Sequence, residues 1–155
     1  MLVPPRSSRG HPRLPRQASR IGDGYVNVGP KPEPLQKYRE EGGKGPAIAA
    51  MKVCWGEDER AAHKLAFDVW KTTGVPGELN QELSLPRHFE QAAQLVSEET
   101  VTEAIACGPD PEAHAQLLRN YFEAGYETVY VSQIGDDQAG FLEFFFKKVR
   151  PRLSL

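Results

Sequence analysis

A chain of 155 residues is about one domain long, enough to bury a core and too short for two ordinary enzymatic domains. With 39% hydrophobic and 26% charged residues and a mean hydropathy of −0.52, it contains no apolar run approaching a membrane span. The net charge of −2 hides a split: residues 1–20 carry five Arg and no acid, while the rest carries 14 basic and 21 acidic groups, a balance of −7.

Residues 1–19 contain four prolines and few apolar side chains, too few to offset the entropy of ordering, and the composition predicts a disordered Arg/Pro-rich tail. The prolines interrupt any amphipathic transit helix, and there is no apolar stretch for a secretory signal. Five guanidiniums could contact phosphates. No aromatic accompanies them to stack on bases, however, and the body is acidic, which weighs against a nucleic-acid partner.

From residue 20 to 155, short apolar strands alternate with helical stretches, the α/β pattern. Strands are predicted at 24–28 (GYVNV), 47–55 (AIAAMKVCW) and 128–133 (TVYVSQ). The second is almost continuously apolar, as a strand covered on both faces should be, with Lys52 the exception. A short helix is expected at 34–41, closed by Gly42 and Gly43. A second, at 58–70, turns Ala62, Leu65, Ala66 and Val69 inward. Residues 72–85 have little period and read as an irregular excursion. Pro86 opens a helix that buries Phe89, Ala92, Ala93 and Val96, and Ser97 caps a shorter one that ends at Gly108. Asp110-Pro111 starts a helix to residue 124, and a last helix from about Asp137 buries Phe141, Leu142, Phe145, Phe146 and Val149 before Pro151 stops it. Three strands, each followed by helix, imply parallel pairing and part of a (β/α)8 barrel, with sheet edges that three strands cannot cover.

The two cysteines, Cys54 and Cys107, lie 53 residues apart and form neither a CxxC nor a zinc pattern, so both are expected to be reduced structural residues of a cytoplasmic protein. His11, His63, His88 and His114 are scattered, and no metal site is expected. No GxSxG, P-loop or GxGxxG occurs, and no residue stands out as a catalytic base. In β/α barrels chemistry sits at the C-terminal ends of the strands, which places Asn27, Trp55 and Gln133 as candidates. Lys31, beside the end of the first strand, is the one cation there that could hold a phosphate.

The strings RIGDGYV at 20–26, KVCWGED at 52–58, PGELNQEL at 76–83, HFEQAAQLVSEE at 88–99, CGPDPEAH at 107–114 and YVSQIGDDQAGF at 130–141 fall in a recognisable order. Over about residues 20–152 the chain resembles the C-terminal part of the coenzyme F420-dependent oxidoreductases of the bacterial-luciferase-like superfamily, in the branch related to F420-dependent glucose-6-phosphate dehydrogenase. The resemblance implies the last three β/α units of the (β/α)8 barrel, with a helical insertion. It also implies a parent enzyme that transfers hydride between the deazaflavin coenzyme F420 and a small organic substrate. The family's catalytic His and Glu belong to strands outside the matched segment, so this chain is expected to be inactive alone and carries no catalytic residue. Of the family's four sugar-phosphate ligands, Lys31 matches one, while Val28, Leu79 or Asn80, and Glu103 or Ala104 fall at the others. The alternative is a non-catalytic half-barrel that binds a partner or self-associates through its open sheet edge.

Overall fold

The computed structural model describes residues 2–3, 13–75 and 79–153. The chain forms two compact units, one of Met1–Met51 with Leu118–Val131, the other of Lys52–Leu117 with Ser132–Leu155. Strands β1 (Leu2–Val3), β2 (Gly24–Val28), β3 (Ala47–Cys54), β4 (Ala106–Cys107) and β5 (Thr128–Gln133) alternate with helices.

In the first unit β1 pairs in parallel with β2, and β2 with β3, from Tyr25 opposite Ala47 to Val28 opposite Ala50. Burial on β3 alternates, with Ala47, Ala49 and Met51 enclosed. Helix α2 (Pro32–Glu40) buries Leu35 and Tyr38, and Tyr38 stacks on Tyr25 with ring centroids 5.2 Å apart. The Arg39 guanidinium straps the following turn by donating to the carbonyls of Gly43 (3.2 Å) and Gly45 (2.8 Å) and to Glu127 (2.8 Å).

Where composition predicts a disordered tail over residues 1–19, Arg13–Ile21 is a helix, α1; residues 4–12 lie outside the described residues. Pro15 is tolerated because it sits in the first turn, where its missing N–H has no helical partner to lose. Pro15 and Ala18 are buried, α1 packs on α2, and Arg16 lies 3.6 Å from Glu41. Two small buried side chains and one ion pair order a segment whose composition alone argues against order.

In the second unit helix α3 (Glu59–Trp70) is capped by the Asp58 carboxylate, which accepts from the Ala61 N–H at 3.0 Å. It turns Ala62 and Ala66 into a cluster with Cys54, Val75, Ala93, Val96, Val101, Ile105 and Cys107. Leu65 packs against the rim of that cluster, whereas Val69, expected inside, is half exposed. The Lys52 ammonium sits 3.2 Å from the centroid of the Trp70 ring, and burial lowers its pKa to about 8. That contact accommodates the one charged residue in an otherwise apolar strand.

The excursion after α3 is a 3₁₀ turn (Lys71–Gly74) followed by a one-turn helix, α4 (Leu79–Glu82). Helix α5 (Pro86–Ala93) starts at proline as expected, and Ser97 caps α6 (Glu98–Thr102) by accepting from the Thr100 N–H. α6 stops well before Gly108. The chain instead extends into β4, whose Ala106 and Cys107 pair in parallel with Val53 and Cys54. Gly108, at φ 77°, then turns the chain and donates its N–H to the Cys54 carbonyl. Cys107 is therefore a strand residue, not a helix-end residue; two residues are too few for periodicity to reveal a strand.

Helix α7 (Pro111–Glu123) begins where the Asp110 carboxylate accepts from Glu112 N–H. Helix α8 (Gln138–Phe144), capped by Asp137, runs into a π turn over Phe145–Val149. The predicted inward stripe is corrected: Phe141, Phe144 and Val149 are buried, while Leu142 and Phe146 are more than half exposed. The wider turn advances the helix by one residue, so the buried face steps from 144 to 149.

The approach of the 43–45 turn to β2 admits no side chain at Gly45, where a Cβ would overlap the Asp23 carbonyl oxygen. Gly45→Ala is expected to destabilise the protein by about 1–3 kcal/mol in urea unfolding. Gly56→Ala, whose added methyl meets nothing closer than 3.7 Å, should cost far less.

Candidate functional site

The strand-end residues singled out from sequence fall into two groups, one in each unit. In the first, Asn27 points inward from β2, is 3% exposed, and donates its side-chain N–H to the Tyr126 hydroxyl at 2.7 Å. Tyr126 donates in turn to the Lys31 carbonyl at 3.2 Å, and its ring meets that of Tyr121 edge-on. Tyr121 donates to the Ala50 carbonyl. Burial raises the pKa of Tyr126 and pushes that of Tyr121 up to about 12. Asn27 and Lys31 are thus joined through one phenol. The joining atom of Lys31 is its backbone carbonyl, and the residue is exposed at the N-cap of α2, where its side chain makes no capping bond.

In the second unit Gln133 clamps the backbone of Trp55 from both sides. Its Oε1 accepts from Trp55 N–H at 2.8 Å and its Nε2 donates to Trp55 carbonyl at 2.9 Å. The Trp55 ring lies on Phe144, centroids 5.5 Å apart, over Gly140, where a Cβ would crowd the indole. Trp55 lines a cleft of about 370 Å³ with Glu57, Pro109, Asp137, Gly140, Glu143, Phe144, Lys147 and Lys148. Glu143 and Lys147 are hydrogen-bonded to each other at 2.6 Å. Three carboxylates therefore share the walls with two ammoniums, a balance that does not select a phosphate.

His114 carries no signal in the sequence, yet it is 1% exposed. Its Nε2 lies 3.0 Å from the Gly108 carbonyl, so it carries the proton, and Nδ1 is buried without a partner. Its ring meets Phe144 edge-on. Its position one helical turn into α7, facing the Gly108 turn, could be found only from tertiary structure. Among the described residues no three His, Cys, Asp or Glu side chains group as metal ligands.

Two measurements probe these contacts. Tyr126→Phe leaves the buried Asn27 amide without its acceptor and should cost about 1–3 kcal/mol, whereas after Asn27→Ala the Tyr126 hydroxyl still donates to Lys31 and the cost should be smaller. The double variant should cost less than their sum, read from denaturant midpoints. Burial lowers the His114 pKa below 6.5. The unfolded chain therefore takes up its proton first, and the stability present above pH 6.5 is lost as pH falls below it. Melting followed from pH 7 down to pH 5 should show this loss, and His114→Gln should flatten it.

No family model matches the chain. F420-dependent glucose-6-phosphate dehydrogenase of Mycolicibacterium gilvum (strain PYR-GCK) is 26% identical over 165 residues, covering 97% of this chain and 48% of its own length. The enzyme of the same name from Segniliparus rotundus is 27% identical, with 97% and 49% covered. The chain thus spans about half the length of the curated relatives it matches, and the similarity reaches upstream of residue 20. In fold, an F420-dependent secondary alcohol dehydrogenase in complex with an F420-acetone adduct superposes with a TM-score of 0.75 at 17% identity, over 99% of this chain and 48% of that one. The coenzyme F420-dependent tetrahydromethanopterin reductase of Methanopyrus kandleri gives 0.65 at 19% identity, over 99% and 50%. The parallel β/α units are those of a partial (β/α)8 barrel, and in sequence and fold the chain resembles the C-terminal part of the coenzyme F420-dependent oxidoreductases of the luciferase-like superfamily.

Proposed function

We propose that this chain is the C-terminal part of an F420-dependent oxidoreductase, a cytoplasmic enzyme that transfers hydride between the deazaflavin and a small organic substrate, and that alone it does not turn over. The observation that carries this reading is the match over 97% of the chain to about half of a dehydrogenase. The described residues do not by themselves fit the coenzyme. The amides of Asn27 and Gln133 are engaged within the fold, His114 is enclosed against Phe144, and the cleft beside Trp55 carries more carboxylates than ammoniums. In the parent enzyme Trp55 faces substrate with Gln133 holding its backbone in place, while in the other unit Asn27, through Tyr126, holds the segment that carries Lys31. Lys31 alone is a poor phosphate site, which disfavours a sugar phosphate as substrate. No helix among the described residues is long and apolar enough to cross a membrane.

A second reading is a half-barrel module that associates through β5. Among the described strands β5 pairs only with β3, which leaves its other backbone edge open. Such an edge invites strand addition.

Titrating the purified chain with oxidised F420, followed by coenzyme fluorescence and by hydride transfer to alcohols and sugar phosphates, tests the first reading. The expected result is neither saturable micromolar binding nor turnover; turnover would overturn it. In size-exclusion chromatography of the same sample, a discrete dimer favours the second reading.

A further inference from the structure

The two cysteines that sequence places 53 residues apart are register partners on adjacent parallel strands, Cys54 on β3 opposite Cys107 on β4. Register partners in a parallel pair project to the same face, and both belong to one apolar cluster. Neighbouring strands are about 4.8 Å apart, inside the Cα separation of about 4.4–6.8 Å that disulfides span, and closing the bond requires the two Cβ atoms to lean together to about 3.8 Å. Both are free thiols, Cys54 fully buried and Cys107 7% exposed. We propose that Cys54 and Cys107 form a dithiol modification site that closes to an intrachain disulfide, tying the end of β3 to β4.

The surroundings favour this product over charged ones. Burial raises both thiol pKa values, Cys107 to about 12 with the Cys54 sulfur contributing, so the attacking thiolate forms only when local opening lets water reach the pair, which makes closure slow. A disulfide carries no charge and suits an apolar site. A metal bis-thiolate lacks the third ligand that zinc requires, since no such group occurs among the described residues. β4 is only two residues long, so local opening gives access to Cys107 without unfolding the unit.

With oxidised glutathione as oxidant, the Cys107 thiolate attacks one glutathione sulfur, forming a mixed disulfide and releasing one glutathione thiol. The Cys54 thiolate then attacks the Cys107 sulfur, forming the protein disulfide and releasing the second. Two protein thiols are oxidised and one glutathione disulfide is reduced, with both protons accounted for on the released thiols. The bond would close immediately before Trp55 and Gly108-Pro109, and so would fix the roots of two segments beside the cleft.

The test is equilibration of the full chain in glutathione buffers of increasing oxidised fraction at pH 8, acid quenching, denaturation, alkylation and mass spectrometry. The expected result is loss of both alkylatable thiols, an intact monomer lighter by two hydrogens, and a linked peptide pair containing Cys54 and Cys107. Cys54→Ser and Cys107→Ser should each yield a mixed disulfide at most. Two alkylatable thiols in the most oxidising buffer, or links found only between chains, would overturn the proposal.

Discussion

Strand β3 must have its backbone groups paired wherever it is buried, and the rest of the fold is arranged around that requirement. In the first unit its early residues are matched by β2, and the Ala47 carbonyl accepts from Glu127 just before β5. In the second its last two residues are matched by β4, and the Val53 carbonyl accepts from Ile134 just after β5. Helix α2, which follows β2, seats Tyr38 on Tyr25, and α3, which follows β3 itself, packs Ala62 and Ala66 beside Cys54. The strand-end residues that looked like chemistry follow from the same demand. Asn27 fixes Tyr126 and the start of α2, and Gln133 supplies a donor and an acceptor to Trp55 just where β3 ends.

What sequence makes legible here are features with a local cause. The three long strands show as apolar runs, and Ser97, Asp58, Asp110 and Asp137 announce helix starts through side chains that bond within their own turn. Features that depend on distant partners are hidden. β4 exists because Val53 and Cys54 offer an edge to Ala106 and Cys107. Helix α1 packs on α2 and β2, with Pro15 and Ala18 buried, and neither neighbour is visible in its own residues. The phase change after Phe144 is set by the π turn, which no 3.6-residue period can show.

The candidate site divides on the same line. The barrel rule that chemistry gathers at strand ends points to Asn27, Lys31, Trp55 and Gln133 alike, and of these Trp55 lines the cleft while Lys31 is exposed beside β2. It could not separate side chains that meet a ligand from those that brace the loops, because Asn and Gln are suited to both tasks. Only the partners decide: both amides bond within the protein, whereas the Trp55 ring borders open space.

The π turn at Phe145–Val149 has an evolutionary reading. A helix with such a turn contains one residue more than α-helical winding would use over the same rise, so a single deletion there would leave an unbroken α-helix. That shortened helix would place Val149 four residues after Phe144, on the same face, so the residues beyond it would keep their seats. The π turn thus confines one extra residue to a single turn, and chains with or without it can anchor the end of the helix through the same buried side chain.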